Sequence, residues 1–499
     1  MDLARNIVRI GKHGSTYAVG SMTIQVLGLL LVPVFTHYLK PAQMGIVSLS
    51  TQLLAVIIVF VELGLLAGLT SHYFRVEAER RPRLVRTVTL GLLTQGAAAC
   101  VVLSAAGIVL APLILGKLPL TTAGTYGLWL LIVWGGLVMA LTQLGIRVAR
   151  LQERSLVSVS IELTGFGVQT AAGLTAVIAL GWQGFGRQAT LVTGLAAAAA
   201  VSLTFAWRKG RGGLLRALYT RALRTGATFI PHGLAGLLAI TINAWLVNQL
   251  VDATALGIYG VAILFAQALQ VTSQAVITAS YPPMAGLMAA GDEPARRQQA
   301  RLYALVFAGI ALIALGIAVA APFLVRWVIA PEYRPAGRLV PLLVLAWIFQ
   351  CLYMISTLPL VYQGKGFRLA AATISSALAG IPLSLALIPW LGTYGAALSM
   401  LGCFLVRFLV VLVQSQRAYP IPWPVTSLLR TFCVVAALAA ADVWVSPRLP
   451  LAAAAAVKAG LWLSAFPLLV AVRVVTPGEV AAGWRLCAEK VRSWRGGRR

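Results

Sequence analysis

Apolar stretches of bilayer-crossing length follow one another from Gly14 to Val472, separated by short polar segments. A hydrocarbon layer about 30 Å thick takes roughly 20 helical residues at 1.5 Å each. On that measure the pattern predicts fourteen spans, near 14–39, 43–72, 84–112, 122–146, 156–181, 187–207, 226–250, 255–281, 302–328, 338–362, 369–389, 394–416, 428–446 and 451–472. The expected fold class is an all-α integral membrane protein.

Composition agrees, since 60% of the 499 residues are hydrophobic and only 11% are charged, with a mean hydropathy of +0.88. A net charge of +27 would suit a nucleic-acid partner, but its distribution excludes one. The basic residues crowd into every second loop. Arg75, Arg80, Arg81, Arg83 and Arg86 share one such loop, and Arg208, Lys209, Arg211, Arg216, Arg221 and Arg224 follow the sixth span. The alternate loops keep only Lys40, Lys117, Arg187, Arg326, Arg334, Arg338, Arg448 and Lys458. This is the positive-inside bias, and it predicts a multi-pass cytoplasmic (inner) membrane protein with both termini in the cytoplasm. Residues 1–13 and 475–499 read as basic amphipathic segments on the membrane surface, the second carrying Val480, Trp484, Cys487, Val491 and Trp494 on one face. The five cysteines suggest neither a disulfide nor a metal site.

The Arg- and Gly-rich segment 208–225 divides two six-span halves, 14–207 and 226–417; two extra helices (426–474) and the tail follow. The halves read as a duplication. Leu39 to Gly45 aligns with Leu250 to Gly257 with one inserted residue, Trp182, Gly184 and Gly186 echo Trp390, Gly392 and Gly395, and Arg80 and Arg81 match Arg296 and Arg297. An even number of spans separates the copies, so they share topology and predict two pseudo-symmetric lobes about an axis along the membrane normal.

Polar residues within spans are few and fall on helical faces. Span two has Ser48, Thr51 and Glu62; span five has Ser158, Glu162, Gly165 and Gln169; span seven has His232, Gly236 and Asn243; span eight has Gln267, Gln270, Gln274 and Thr278. A single hydroxyl or amide commonly glues helices together, whereas several long amides on one face suit a wet cavity that bonds hydroxyl-rich cargo. Arg407 is too deep in span twelve for easy snorkelling. For Glu162 and Arg407, a mutual ion pair and a cargo or proton role both stand open. His232 follows Pro231 near a span end and reads first as an interfacial histidine, second as a phosphate contact. No nucleotide-binding glycine loop and no hydrolase or metal motif occurs, so no enzymatic activity, cofactor or metal is expected.

Together these residues resemble the polysaccharide-transport branch, the Wzx-type flippases, of the multidrug/oligosaccharidyl-lipid/polysaccharide (MOP) exporter superfamily. The resemblance covers most of residues 10–420 and rests on Gly14 to Tyr17, Pro33 to Gly45, Ile230 to Gly233, Leu256 to Tyr259, Gly364 with Lys365, Leu387 to Pro389, and Gly395 to Ala397. Where relatives carry Asp-Arg on span seven, this chain has Asn243 and Ala244. The resemblance implies a fold like that of drug/cation antiporters, and flipping of an undecaprenyl-diphosphate-linked (polyprenyl diphosphate) oligosaccharide from the cytoplasmic to the outer leaflet by alternating access, for surface polysaccharide biosynthesis. Polymerase and chain-length proteins are candidate partners, and proton or sodium coupling through Glu62 or Glu162 is a secondary hypothesis. Arginine suits a diphosphate through its planar fork, and the amide faces suit sugars. The expected cavity lining is Glu62, Glu162, His232, Asn243, Gln267, Gln270, Gln274 and Arg407, with Lys12, Arg147 and Lys365 as electrostatic guides at the inner mouth. A multidrug/cation antiporter and a non-transporting scaffold of a glycan-assembly complex are the alternative readings.

Overall fold

A computed structural model describes residues 20, 23–363, 365–445 and 449–481; the side chains of His232, Ala275, Ala279, Pro282 and Gly366 lie outside that description. The amphipathic segment 1–13 and the tail beyond residue 481 also lie outside it. Among the described residues thirteen helices are long and apolar enough to cross a membrane, and Thr23–Tyr38 represents the first expected span. We number the helices α1 (Thr23–Tyr38), α2 (Pro41–Glu62), α3 (Leu65–Tyr73), α4 (Arg81–Leu115), α5 (Thr122–Leu151), α6 (Ser155–Leu174), α7 (Gly184–Lys209) and α8 (Arg216–Ala227). The second half comprises α9 (Ile230–Leu250), α10 (Ala253–Ala290), α11 (Glu293–Val328), α12 (Arg334–Ser356), α13 (Leu358–Tyr362), α14 (Gly366–Leu391) and α15 (Thr393–Ala418), followed by α16 (Val425–Val445) and α17 (Leu451–Ala471).

Packing follows the duplication. Helices α2 and α4 to α7 contact one another, α9 to α12, α14 and α15 do likewise, and α16 and α17 lie against α11. The lobes meet chiefly where α2 crosses α10, and the crossing is made of backbone. A β-carbon on Gly45 would collide with the carbonyl of Ala253, and one on Gly257 with the carbonyl of Pro41. Only glycine lets two helices approach this closely. Beside it, a β-carbon on Gly260 would lie 2.6 Å from Ser48 Oγ, so that hydroxyl packs in the seam. At the same end, the one predicted to be outer, Tyr333 Oη donates to Leu39 O at 2.6 Å and Lys117 Nζ donates to Gln249 O at 2.5 Å. At the opposite end the inner half of α10 keeps one face exposed, with Gln274 and Thr278 on it, while Ser273, Ile277, Met284 and Met288 are buried.

Two expectations change. The apolar run 43–72 is not one span: it breaks at Leu63 and Gly64, both left-handed with φ of 45° and 75°, and α3 leaves in a new direction. The break is tertiary in origin, because Gly64 and Gly68 lie backbone to backbone with Gly226 and Ala222 of α8. The second change is α8 itself, a helix within the basic segment 208–225 that was expected to be a linker. It is pinned to α3 by those small residues and by His72 Nε2 bonded to Thr225 Oγ1 at 2.8 Å.

The two C-terminal helices are fixed by polar contacts in an otherwise apolar seam. Lys458, expected in an outer loop, sits within α17 and places Nζ 2.7 Å from both carboxylate oxygens of Asp442 on α16, while donating to Val319 O of α11 at 3.2 Å. Trp462 Nε1 donates to Leu312 O at 3.0 Å and its ring packs on Gly316. Below them, Thr476 and Glu479 form a reciprocal cap, and Glu479 accepts two bonds from Arg301 of α11 at 2.7 and 2.5 Å.

Candidate substrate cavity

A cavity of about 510 Å³ opens between the lobes, walled by α1, α2, α6 and α7 of the first and by α10 of the second. Its polar lining is Gln25, Thr51, Glu162, Gln169, Thr170, Arg187 and Gln267, set among Phe35, Phe166, Leu191, Leu264 and other apolar side chains. Helical spacing explains the grouping: Glu162 and Gln169 are two turns apart on α6 and face the same way. The α2–α10 crossing and Phe35 lie toward the closed end.

The structure distributes the expected residues unevenly. Glu162 and Gln267 line this cavity. The Glu162 carboxylate accepts from Arg150 Nη2 at 3.0 Å, and Arg150 Nε reaches Ser158 Oγ at 3.4 Å. The ion pair left open between Glu162 and Arg407 is not seen: Arg150, at the end of α5 across the turn from α6, pairs with Glu162, and Arg407 bonds Ser376 and Gln350. Arg147 is on α5, and Glu62 is half-buried at the end of α2. Its backbone carbonyl accepts from Gln95 Nε2 at 2.9 Å. Gln270 is half-buried, and Gln274 is exposed with its amide on Thr278 Oγ1 at 3.3 Å. Lys365 is exposed just before α14. His232 is in the first turn of α9, its side chain outside the description, and Lys12 lies outside the described residues.

Asn243 and Arg407 sit inside the second lobe, away from the lining of this cavity. Asn243 Nδ2 donates to Ser399 Oγ at 2.8 Å, Ala396 O at 3.0 Å and Ser384 Oγ at 3.4 Å, tying α9 to α14 and α15. Arg407 is 5% exposed; its Nε donates to Ser376 Oγ at 3.1 Å and Nη1 to Gln350 Oε1 at 3.3 Å, and Nη2 has no hydrogen-bond partner among the described residues. The rings of Tyr353 and Phe404 each lie 5.5 Å from its guanidinium carbon.

Sequence reasoning missed Arg187, placing it in an outer loop. It stands in the first turn of α7 and lines the cavity, its guanidinium 4.4 Å from the centre of the Phe35 ring. The available signal was positional: α7 holds no other charge before Arg208.

Two lobes of six membrane-crossing helices around a shared cavity are an arrangement that solved structures of the MOP superfamily share. The lipid II flippase MurJ in an inward closed conformation matches with a TM-score of 0.74 at 10% identity, covering 91% of this chain and 98% of that one. An inward-facing multidrug resistance transporter of the MATE family matches at 0.65 and 12% identity, over 80% of this chain and 97% of that one. A MOP superfamily transporter from Pyrococcus furiosus, described as having a binding pocket of reverse polarity, matches at 0.54 and 14% identity, over 82% and 95%. Among curated protein sequences none matches significantly. The family model for polysaccharide biosynthesis proteins matches residues 10–288, more than half of the chain, and the chain belongs to that family.

Proposed function

We propose that the protein flips a polyprenyl diphosphate-linked oligosaccharide from the cytoplasmic to the outer leaflet of the inner membrane by alternating access, supplying surface polysaccharide synthesis. The observation that carries this reading is the cavity itself, in which amides and hydroxyls that bond sugars lie beside an arginine that suits a phosphate. The positive-inside bias orients the closed α2–α10 end outward, so the structure is read as inward-facing, both termini being cytoplasmic. The polyprenyl tail stays among the membrane lipids while the head group crosses. No covalent step, cofactor or metal enters the cycle, and polymerase and chain-length proteins would take up the product.

Glu162 bears on the cation-antiporter alternative. A drug cation needs an uncommitted carboxylate, and the cavity's carboxylate is held by Arg150. Proton or sodium coupling is assigned to Glu62 or Glu162 as a secondary proposal. The test is reconstitution in liposomes with a fluorescent lipid-linked oligosaccharide. Protein-dependent loss of label from the inner leaflet is expected, and its absence, with transport of organic cations instead, would overturn the reading. Rates indifferent to imposed proton and sodium gradients would remove the coupling proposal alone.

A further inference from the structure

The geometry points to Arg187 as the anion-holding residue at the closed end of the cavity, where the diphosphate of the cargo rests last before the outer gate opens. This inference depends on the flippase reading above and adds to it a residue and a position along the path.

Arg187 has the attributes of a built site. Its helix start is fixed, since Gly184 N donates to Gln43 Oε1 at 2.9 Å and Gly186 packs under Trp182. The guanidinium stacks over Phe35, and Nη1 donates to Thr190 Oγ1 at 3.4 Å. Gly173 keeps the space open: a β-carbon there would come within 3.3 Å of the Phe35 ring and 3.6 Å of Nη1. Ring and hydroxyl together hold the planar fork in one orientation against the cavity.

Charge balance supplies the reason for a ligand. Among the described residues no carboxylate pairs with Arg187, which is half-buried in the cavity wall. The only acidic residue in the lining, Glu162, is matched by Arg150. A half-buried cation facing a cavity without a counterion is costly and persists where a functional anion completes it. A guanidinium offers five donors in a fork that fits two phosphate oxygens, and here the protein itself takes up one. Arg187 thus leaves an uncompensated positive charge at the closed end of the cavity, which favours an anionic head group there.

The test uses the full-length protein in nanodiscs, with farnesyl diphosphate and inorganic pyrophosphate as probes and wild type, Arg187→Gln and Arg187→Lys compared. Arg187→Gln is expected to weaken diphosphate binding roughly tenfold or more, the loss of one charged bidentate contact, and Arg187→Lys to restore part of it. Binding of both probes through Arg187 would assign the contact to the diphosphate itself, and binding of the prenylated probe alone would assign it to the lipid-linked form. Equal affinity in wild type and Arg187→Gln, with wild type still flipping, overturns the inference and leaves the function standing. Failure of wild type to bind either diphosphate, together with failure to flip, overturns both. Should Arg187→Gln not fold, phenylglyoxal modification of the unaltered protein, mapped by mass spectrometry, gives the same decision. Protection of Arg187 by farnesyl diphosphate supports the inference, and equal modification with and without the probe refutes it.

Discussion

The glycine crossing of α2 and α10 is what seals the outer end, and one methyl group tests it. In Gly257→Ala the new β-carbon would overlap the Pro41 carbonyl, 2.7 Å from its carbon, and would lie 3.0 Å from the Gly45 nitrogen. Both neighbours are backbone of α2, which cannot rotate away as a side chain can. Restoring ordinary contact requires α2 and α10 to separate by on the order of 1 Å, and overpacking of this kind costs about 1–3 kcal/mol. The cost falls on the closed state only, so the equilibrium moves toward the outward-open state by roughly fivefold to over a hundredfold. Spin labels at Thr122 and Glu332, exposed on opposite lobes at that end, report the change by pulsed electron resonance, after Cys433 and Cys487 are replaced by serine. A longer distance population should appear in Gly257→Ala and in Gly45→Ala, and the double variant should fall short of their sum because both act on one contact. A folded Gly257→Ala with an unaltered distance distribution would refute the reasoning.

Three further outcomes are expected. Lys458→Met strips the ammonium from Asp442 in a seam where the two side chains are 12% and 9% exposed, and should cost roughly 3–5 kcal/mol, whereas Lys458→Met with Asp442→Leu should recover most of it; thermal unfolding followed by tryptophan fluorescence distinguishes them, and equal melting of single and double variants would count against the pair. The Arg301 guanidinium beside Glu479 holds that carboxyl down at about 2, against an ordinary 4.5. The latch is therefore intact above about 4.5 and lost as pH falls toward 2, a contribution of about 1 kcal/mol for so exposed a pair. A spin label at Gly478 should gain mobility only in that window, and in Glu479→Gln at every pH. Gly68→Val would drive side-chain carbons into the Ala222 backbone and lift α8 from α3; trypsin should then cut at Arg216, Arg221 and Arg224 several-fold faster, and unchanged cleavage would mean that the packing is dispensable.

Spans and repeat were legible because they rest on run length and on spacing, which survive whatever tertiary structure follows. Thus α9, α12, α16 and α17 fall close to the stretches expected, and Gly45 and Gly257, matched from sequence, meet in space. Glu162 and Gln267 were legible for a similar reason, as polar positions on helices otherwise apolar. Periodicity gives a face, however, and not the neighbour that the face meets. Asn243 and Arg407 share the polar character of Gln267, yet they face α14, α15 and α12 within one lobe. The break at Leu63 and Gly64 had only a weak local signature, Glu62 followed by Gly64 in an otherwise apolar run, and the close backbone contact with Gly226 could not be read from it. Arg187 was hidden by its position at a span boundary, where a loop cation and a cavity cation look alike.

The contacts at the α2–α10 crossing are reciprocal: Gly45 meets the carbonyl of Ala253, and Gly257 meets that of Pro41, which occupies the equivalent place in the first half. Equivalent residues touching across a two-fold axis are the signature of an isologous interface. Each half supplies one glycine and one carbonyl, so the crossing is self-complementary in the way a symmetric dimer interface is. Because both halves now lie in one chain, a substitution in one alters one side of the gate and leaves the other as it was, so the two sides can be changed one at a time.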